Sequence, residues 1–281
     1  GAIHSYTLTL SAEGLAVTNT TVEPWTTINK GTLTLEKYDP WKGLANGVYA
    51  VSADGKPVTY SDADESCIAV VLITDNQRIM IEKMGEANTT SIKAAYDADG
   101  ATNIANKYFY WGMYGADNTS ITNYTKADGT NTNGYLPKAD GTYLSTPNLS
   151  SDYTTWTSGA LSDFNGKANT AAIQSASDTD IYTAYANMGT YCTKFNATAA
   201  ENQGFTDWYI PAEGQLALIY LNKTAINEAL TAIGGTTFSD SYYWSSSEYS
   251  SNNGWSVAFG NGGVGADPKS GYRPVRFVRD I

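Results

Sequence analysis

At 281 residues the chain has room for one large domain, or for one domain and a smaller piece. A formal net charge of −11 argues against nucleic acid or an anionic membrane surface as partner, and no apolar run is long enough to span a bilayer. A single histidine, His4, excludes a Ser-His-Asp hydrolase, a zinc peptidase or a three-His iron site in the main domain on residue supply. Residues 5–10 alternate, with Tyr6, Leu8 and Leu10 on one face and Ser5, Thr7 and Thr9 on the other, as a half-buried strand does. Gly14 makes a turn, Leu15 to Thr18 pair back, and a further alternating run follows at 32–35. Strands this few cannot bury a core alone, so 1–45 is expected to be a small β segment beside a main domain at 46–281.

From Asn46 the pattern strengthens. GVYAV and PVTYSD flank an Asp54-Gly55 turn and read as a hairpin. CIAVVLITD and QRIMIEK, joined by Asp75-Asn76, are strongly β-prone, and the first is nearly continuous in apolar residues, so it belongs at a sheet centre covered on both faces. Residues 85–160 form a turn-rich insertion punctuated by Asp-Gly pairs and aromatics. Its DADGATN run lacks the full spacing and distal Glu of a calcium loop and reads as turn chemistry, so no metal and no cofactor are expected.

Helices are expected from DFNGKANTAAI, over about Asp178–Ala199, over Pro211–Leu221 and over Thr224–Ile233. The last of these stops at Gly234-Gly235. Short strands follow at about Tyr242–Ser247, Trp255–Phe259, Gly262–Val264 and Arg273–Val278. Early strands, central helices and a late antiparallel meander make an α+β domain. In that meander an apolar frame of Trp244, Trp255, Val257, Phe259 and Val264 alternates with Ser, Asn, Gly, Ala and Tyr. A rigid frame carrying interchangeable small polar residues suits a binding surface better than a reaction centre. If Trp255, Val257 and Phe259 face inward, Ser256 and Ala258 face outward. Of Tyr242 and Tyr243, the first is expected to be the exposed one.

The runs DFNGKANTAAI, GFTDWYIPAEGQLALIY, YYWSSSEYSSNNGWSVAFGNG and YRPVRFV together resemble the C-type-lectin-like fold of bacterial surface proteins. They are most similar to the variable proteins of diversity-generating retroelements, and GVYAVSADGKPVTY with CIAVVLITDNQRIMIEK resembles the entry strands of such proteins. The stretch SYTLTLSAEGLAVTNTTVEPW is similar to the closing strands of fimbrillin-like domains. The resemblance implies a fixed frame of Trp208, Pro211, Leu216, Trp244, Glu248, Trp255, Val257, Phe259, Arg273, Pro274, Val275 and Arg276. It implies ligand-facing positions at Tyr242, Ser246, Tyr249, Asn252, Asn253, Ser256, Ala258, Asn261, Asp267 and Ser270. Ala212 departs from the pattern, standing where many relatives carry a small hydroxyl residue.

The function so implied is a non-enzymatic adhesin or receptor, outside the cell or anchored at its surface after loss of an export leader. Its ligand is a protein or a glycan, and the chain is a monomer or part of a surface assembly. The alternative is a structural or tip subunit of a surface fibre. A carbohydrate-active protein is a third reading, and needs two carboxylates converging in one cleft. Its candidates, Asp207, Glu213 and Glu248, have structural readings instead: the first two flank a helix start, and Glu248 suits an ion pair with Arg273 or Arg276. Formylglycine-generating enzymes share the fold but need a close cysteine pair late in the chain, where only Cys192 stands. Cys67 and Cys192 read as two buried free thiols. The Glu-Pro-Asn, Gln-Pro-Asp and Trp-Asn-Asp runs of calcium-dependent sugar lectins do not occur.

Overall fold

A computed structural model describes residues 2–11, 14–24, 39–75, 77–85, 109–112, 114–127, 134–135, 158–176, 187–198 and 203–281. The strand expected at 32–35, the DADGATN turn, most of the 85–160 insertion and the start of the helix expected from Asp178 lie outside those residues. The chain divides into two compact units, Gly1–Asp39 and Pro40–Ile281. In the first, β1 (Ala2–Ser11) and β2 (Gly14–Pro24) pair antiparallel from Ala2↔Pro24 to Ser11↔Gly14, with a register shift between Thr7 and Leu8.

The second unit begins with β3 (Gly47–Val51), β4 (Pro57–Thr59), β5 (Ala69–Ile73) and β6 (Arg78–Glu82). Their antiparallel sheet is completed by β11 (Val278–Asp280), in the order β11-β6-β5-β3-β4. Every residue of β5 is buried, because period-2 alternation sends Val70 and Leu72 into one apolar cluster and Ala69, Val71 and Ile73 into the other. The final strand therefore departs from the sequence expectation. Residues 273–277 run past the meander without becoming a strand of it, and pairing starts only at Val278, opposite Ile81.

Four α-helices occur among the described residues: α1 (Gly166–Ser175), α2 (Met188–Ala197), α3 (Glu213–Leu221) and α4 (Lys223–Ala232). All nine residues of α3, EGQLALIYL, are buried, as expected for a helix that is apolar on every side. With α4 it fills the cluster that holds Val70, Leu72, Trp255 and Val257. Helix α2 serves the opposite face. Its Tyr191 stacks on Phe109 at 3.9 Å between ring centroids, and its Phe195 meets the edge of Trp208 and tilts against Phe277. Cys67 lies in the first cluster and Cys192 in the second, so both thiols stay free. Burial drives the Cys192 thiol far above its ordinary titration range.

The second sheet runs β7-β10-β9-β8, from β7 (Gly134–Tyr135), β8 (Tyr242–Glu248), β9 (Asn253–Ala258) and β10 (Gly263–Pro268). Strand β8 breaks register between Trp244 and Glu248, and the serines in that break are all buried. Each hydroxyl has work inside the molecule. Ser245 donates to the Trp255 carbonyl at 3.0 Å, Ser246 to the Ile210 carbonyl at 3.0 Å and Ser247 to Asp163 at 2.7 Å. Ser247 Oγ also accepts from the backbone N–H of Glu213 at 2.9 Å. That bond supplies from another strand the cap acceptor that Ala212 cannot offer, while the Gln215 side chain accepts from the Ala212 N–H. Ser247→Ala is expected to lower stability by about 1–2 kcal/mol, since it strips a helix-end N–H and a buried carboxylate together. Denaturant unfolding checks this, and a loss below about 0.5 kcal/mol would refute the capping role.

Candidate binding face

Register decides which side chains of the meander share a side. Tyr242 opposes Ala258, Trp244 and Gly265 oppose Ser256, and Asp267 opposes Gly254. Tyr242, Trp244, Ser256, Ala258 and Asp267 therefore project together, away from Tyr243, Trp255, Val257 and Val264 in the core.

This side is not open along its length. Residues 109–112 of the insertion and the return segment 269–273 lie across it. Phe109 and Arg273 exchange both backbone hydrogen bonds, the Trp244 indole N–H donates to the Phe109 carbonyl, and the Trp111 indole N–H donates to the Ser245 carbonyl. Trp111 packs so closely on Gly254 that a Cβ there would sit 2.5 Å from the indole, so only glycine admits the ring.

The sequence expectation for the ligand-facing positions divides accordingly. Tyr242 is 47% exposed, and Asn252 and Asn261 are exposed at turns. Tyr249, Asn253, Asp267 and Ser270 are half-buried, with Tyr249 edge-on to Trp255. Ser246, Ser256 and Ala258 are buried, which corrects the expectation of solvent access for all three. For Ser246 the cause is its hydrogen bond toward the start of α3. Ser256 and Ala258 do project from the outward side of β9, but both are buried there, Ser256 opposite Trp244 and Ala258 opposite Tyr242, and Ser256 donates its hydroxyl to Asp267 at 2.5 Å.

What remains accessible centres on Arg273, a residue expected only as frame. Its guanidinium lies 5.2 Å from the Tyr242 ring centroid and 5.8 Å from that of Trp244, and pairs with Asp267 at 3.1 Å. Its Nε–H is buried and has no hydrogen-bond partner among the described residues, so only the outer part of the guanidinium meets solvent. Alternation with Val275 and Phe277 could not reveal this orientation, because 273–277 is not a regular strand.

The remaining carboxylates are held apart from this face. Glu248 is fully buried and pairs with Lys269, equally buried, instead of with Arg273 or Arg276. Lys269 also donates to the Ala116 carbonyl at 3.1 Å and lies over the Trp111 ring, while Glu248 accepts from the Asn118 N–H at 3.1 Å. Burial pushes Glu248 up and Lys269 down from their ordinary ranges, and their mutual contact opposes both shifts. Arg276 instead donates to the carbonyls of Glu82 and Thr236. Asp207 is held below the usual carboxylate range by its hydrogen bonds from Arg279. Glu213 is fully buried with neither carboxylate oxygen bonded, and burial pushes it up to about 8, with the charges of Asp163 and Asp267 adding to the shift. Ser245 is near enough to oppose that shift, but its hydroxyl donates to the Trp255 carbonyl. Among the described residues, no group of three or more His, Cys, Asp or Glu is placed to hold a metal ion.

Residues 150–279 match the family model of the Lcl C-terminal domain. That stretch contains all four helices and the β8–β10 meander, and with the antiparallel sheets it gives the second unit an α+β, C-type-lectin-like fold. Among solved structures the chain is similar to a fimbrial protein from Bacteroides ovatus, at a TM-score of 0.43 and 17% identity, over 85% of this chain and 49% of that one. The chain thus spans about half the length of that protein. No curated protein matches. No helix of the described residues is long and apolar enough to cross a membrane.

Proposed function

We propose that this chain is a non-enzymatic ligand-binding protein of the bacterial cell surface, with the Tyr242–Arg273–Asp267 patch as the centre of its contact face. One observation carries the reading: a solvent-facing Tyr holds a partly exposed Arg that is pinned by a carboxylate. Tyr and Arg are the side chains that most often dominate recognition energy, and here both are immobilised before any ligand arrives. Ser270, half-buried in the return segment that carries Arg273, adds a short polar group. The non-enzymatic part rests on the acids. Glu213 and Glu248 have no solvent access, and Asp207 is committed to Arg279.

The ligand is a protein or a glycan met outside the cell, in keeping with the Tyr-rich, weakly charged composition. A screen of immobilised glycans and extracellular proteins with the full chain finds it. Tyr242→Ala and Arg273→Lys are then expected to weaken the captured ligand at least about tenfold, a loss of ~1.4 kcal/mol, with the thermal midpoint unchanged. Capture that both variants retain at full strength would remove the patch from the contact face.

A further inference from the structure

A second concavity lies outside that patch. It is a cleft of about 840 Å³ between α4, the end of α3, the turn after β4 and the β9–β10 turn. It is shallow and largely open to solvent, so a ligand would lie along it and not be enclosed. Its apolar lining is almost wholly aromatic, with Tyr60 at the rim and the buried Tyr220 and Phe259 at the base, and Ala232 is the one aliphatic side chain among the lining residues. Tyr60 stands 45% exposed at the rim. Tyr220 is fixed by the β9–β10 turn, where Gly262 sits at φ +75° and a Cβ would meet the ring at 2.6 Å.

The polar wall is a stripe along α4. Thr224 and Glu228 are exposed, one turn apart on the same face of the helix. The cation of the cleft, Lys223, is already neutralised, donating to Asp240 at 2.6 Å and to the Phe259 carbonyl at 2.7 Å. The charge left over is therefore the Glu228 carboxylate. The exposed Tyr60 ring offers a platform for the C–H face of a sugar, and a carboxylate accepts two neighbouring hydroxyls at once. An uncompensated negative charge in a chain of net charge −11 disfavours phosphate, sulfate or uronate. An aliphatic ligand or peptide side chain would find rings and hydroxyls where it needs methyl groups.

We propose that this cleft is a second binding site, taking a neutral oligosaccharide that stacks on Tyr60 and hydrogen-bonds through Glu228 and Thr224. It shares no residue with the Tyr242–Arg273 patch, and so stands or falls independently of it.

The test uses the full chain and a panel of neutral trisaccharides (maltotriose, cellotriose, mannotriose and N-acetylchitotriose), with 3′-sialyllactose as the anionic counterpart. Saturation-transfer NMR and calorimetry up to about 10 mM sugar cover the weak affinities usual for such small ligands. At least one neutral trisaccharide is expected to bind, to weaken tenfold or more in Tyr60→Ala and in Glu228→Gln, and to be unaffected by Tyr242→Ala. Both cleft variants alter exposed side chains, and if one misfolds the other still reports. The proposal is overturned if no neutral trisaccharide binds, if sialyllactose binds better than all of them, or if binding survives both cleft variants. Loss of binding in Tyr242→Ala alone would move the sugar to the other patch and likewise overturn it.

Discussion

Replacing Glu248 by Gln is expected to cost about 3–5 kcal/mol of stability, because it leaves the Lys269 ammonium fully buried without its counter-ion. Lys269→Met should cost a similar amount, softened to the extent that Glu248, already raised by burial, can take up a proton. The double variant Glu248→Gln with Lys269→Met is expected to be substantially more stable than the sum of the single losses implies, with a coupling of roughly 1–3 kcal/mol. A glutamine can still accept from the Asn118 N–H, so the neutral pair keeps part of the polar scaffold. Denaturant unfolding of the four proteins at pH 7 measures the cycle. Single losses below about 1 kcal/mol would show that the pair is not desolvated as its burial implies. The pair also holds the insertion, through Ala116 and Asn118, against the end of β8 and the return segment. Hydrogen exchange at residues 114–120 should therefore speed up in the single variants before the rest of the unit is affected.

The second large effect is one of pH. Glu213 titrates near 8 in the folded protein against an ordinary value of 4.5, so the folded state keeps its proton where the unfolded chain has lost it. Its contribution is fully present below about pH 4.5 and is lost progressively as pH rises toward 8. The shift corresponds to roughly 5 kcal/mol over that window. Glu213→Gln removes the titration while keeping the shape. The variant should gain on the parent as pH is raised from 5 to 8, with the difference levelling off above about pH 8.5. Parallel stability curves for the two proteins across this range would mean that Glu213 is ionised in the fold.

The parts of this molecule legible in its sequence are those where one local pattern suffices. CIAVVLITD is apolar on both alternating faces and becomes a strand buried on both; YIPAEGQLALIYL starts after a proline and becomes a helix buried all round. The meander strands follow from the same periodicity, which also places Ser256 and Ala258 on the correct side of β9. Periodicity says nothing about what covers that side. The cover comes from Phe109 and Trp111, more than a hundred residues earlier, in a segment whose turns give no hint of destination. Glu248 is legible as the structural member of an ion pair, but its partner is Lys269, a lone lysine after a proline in a polar stretch, brought in by the end of β10. The serine run looks interchangeable in composition, yet its three hydroxyls are committed to Trp255, Ile210 and Asp163, which only tertiary contact brings within reach.

The sheet order β11-β6-β5-β3-β4 also bears on mechanical load. Each of the three ladders joining β11, β6, β5 and β3 is antiparallel, so the start of β3 and the finish of β11 fall at one end of the sheet, about 14 Å apart across the strands. Tension applied between those two points peels the sheet open rung by rung, starting at Asp280↔Ile79, instead of shearing all rungs together. A unit strung in that way yields at low force, whereas the same unit held from one side alone feels no such pull.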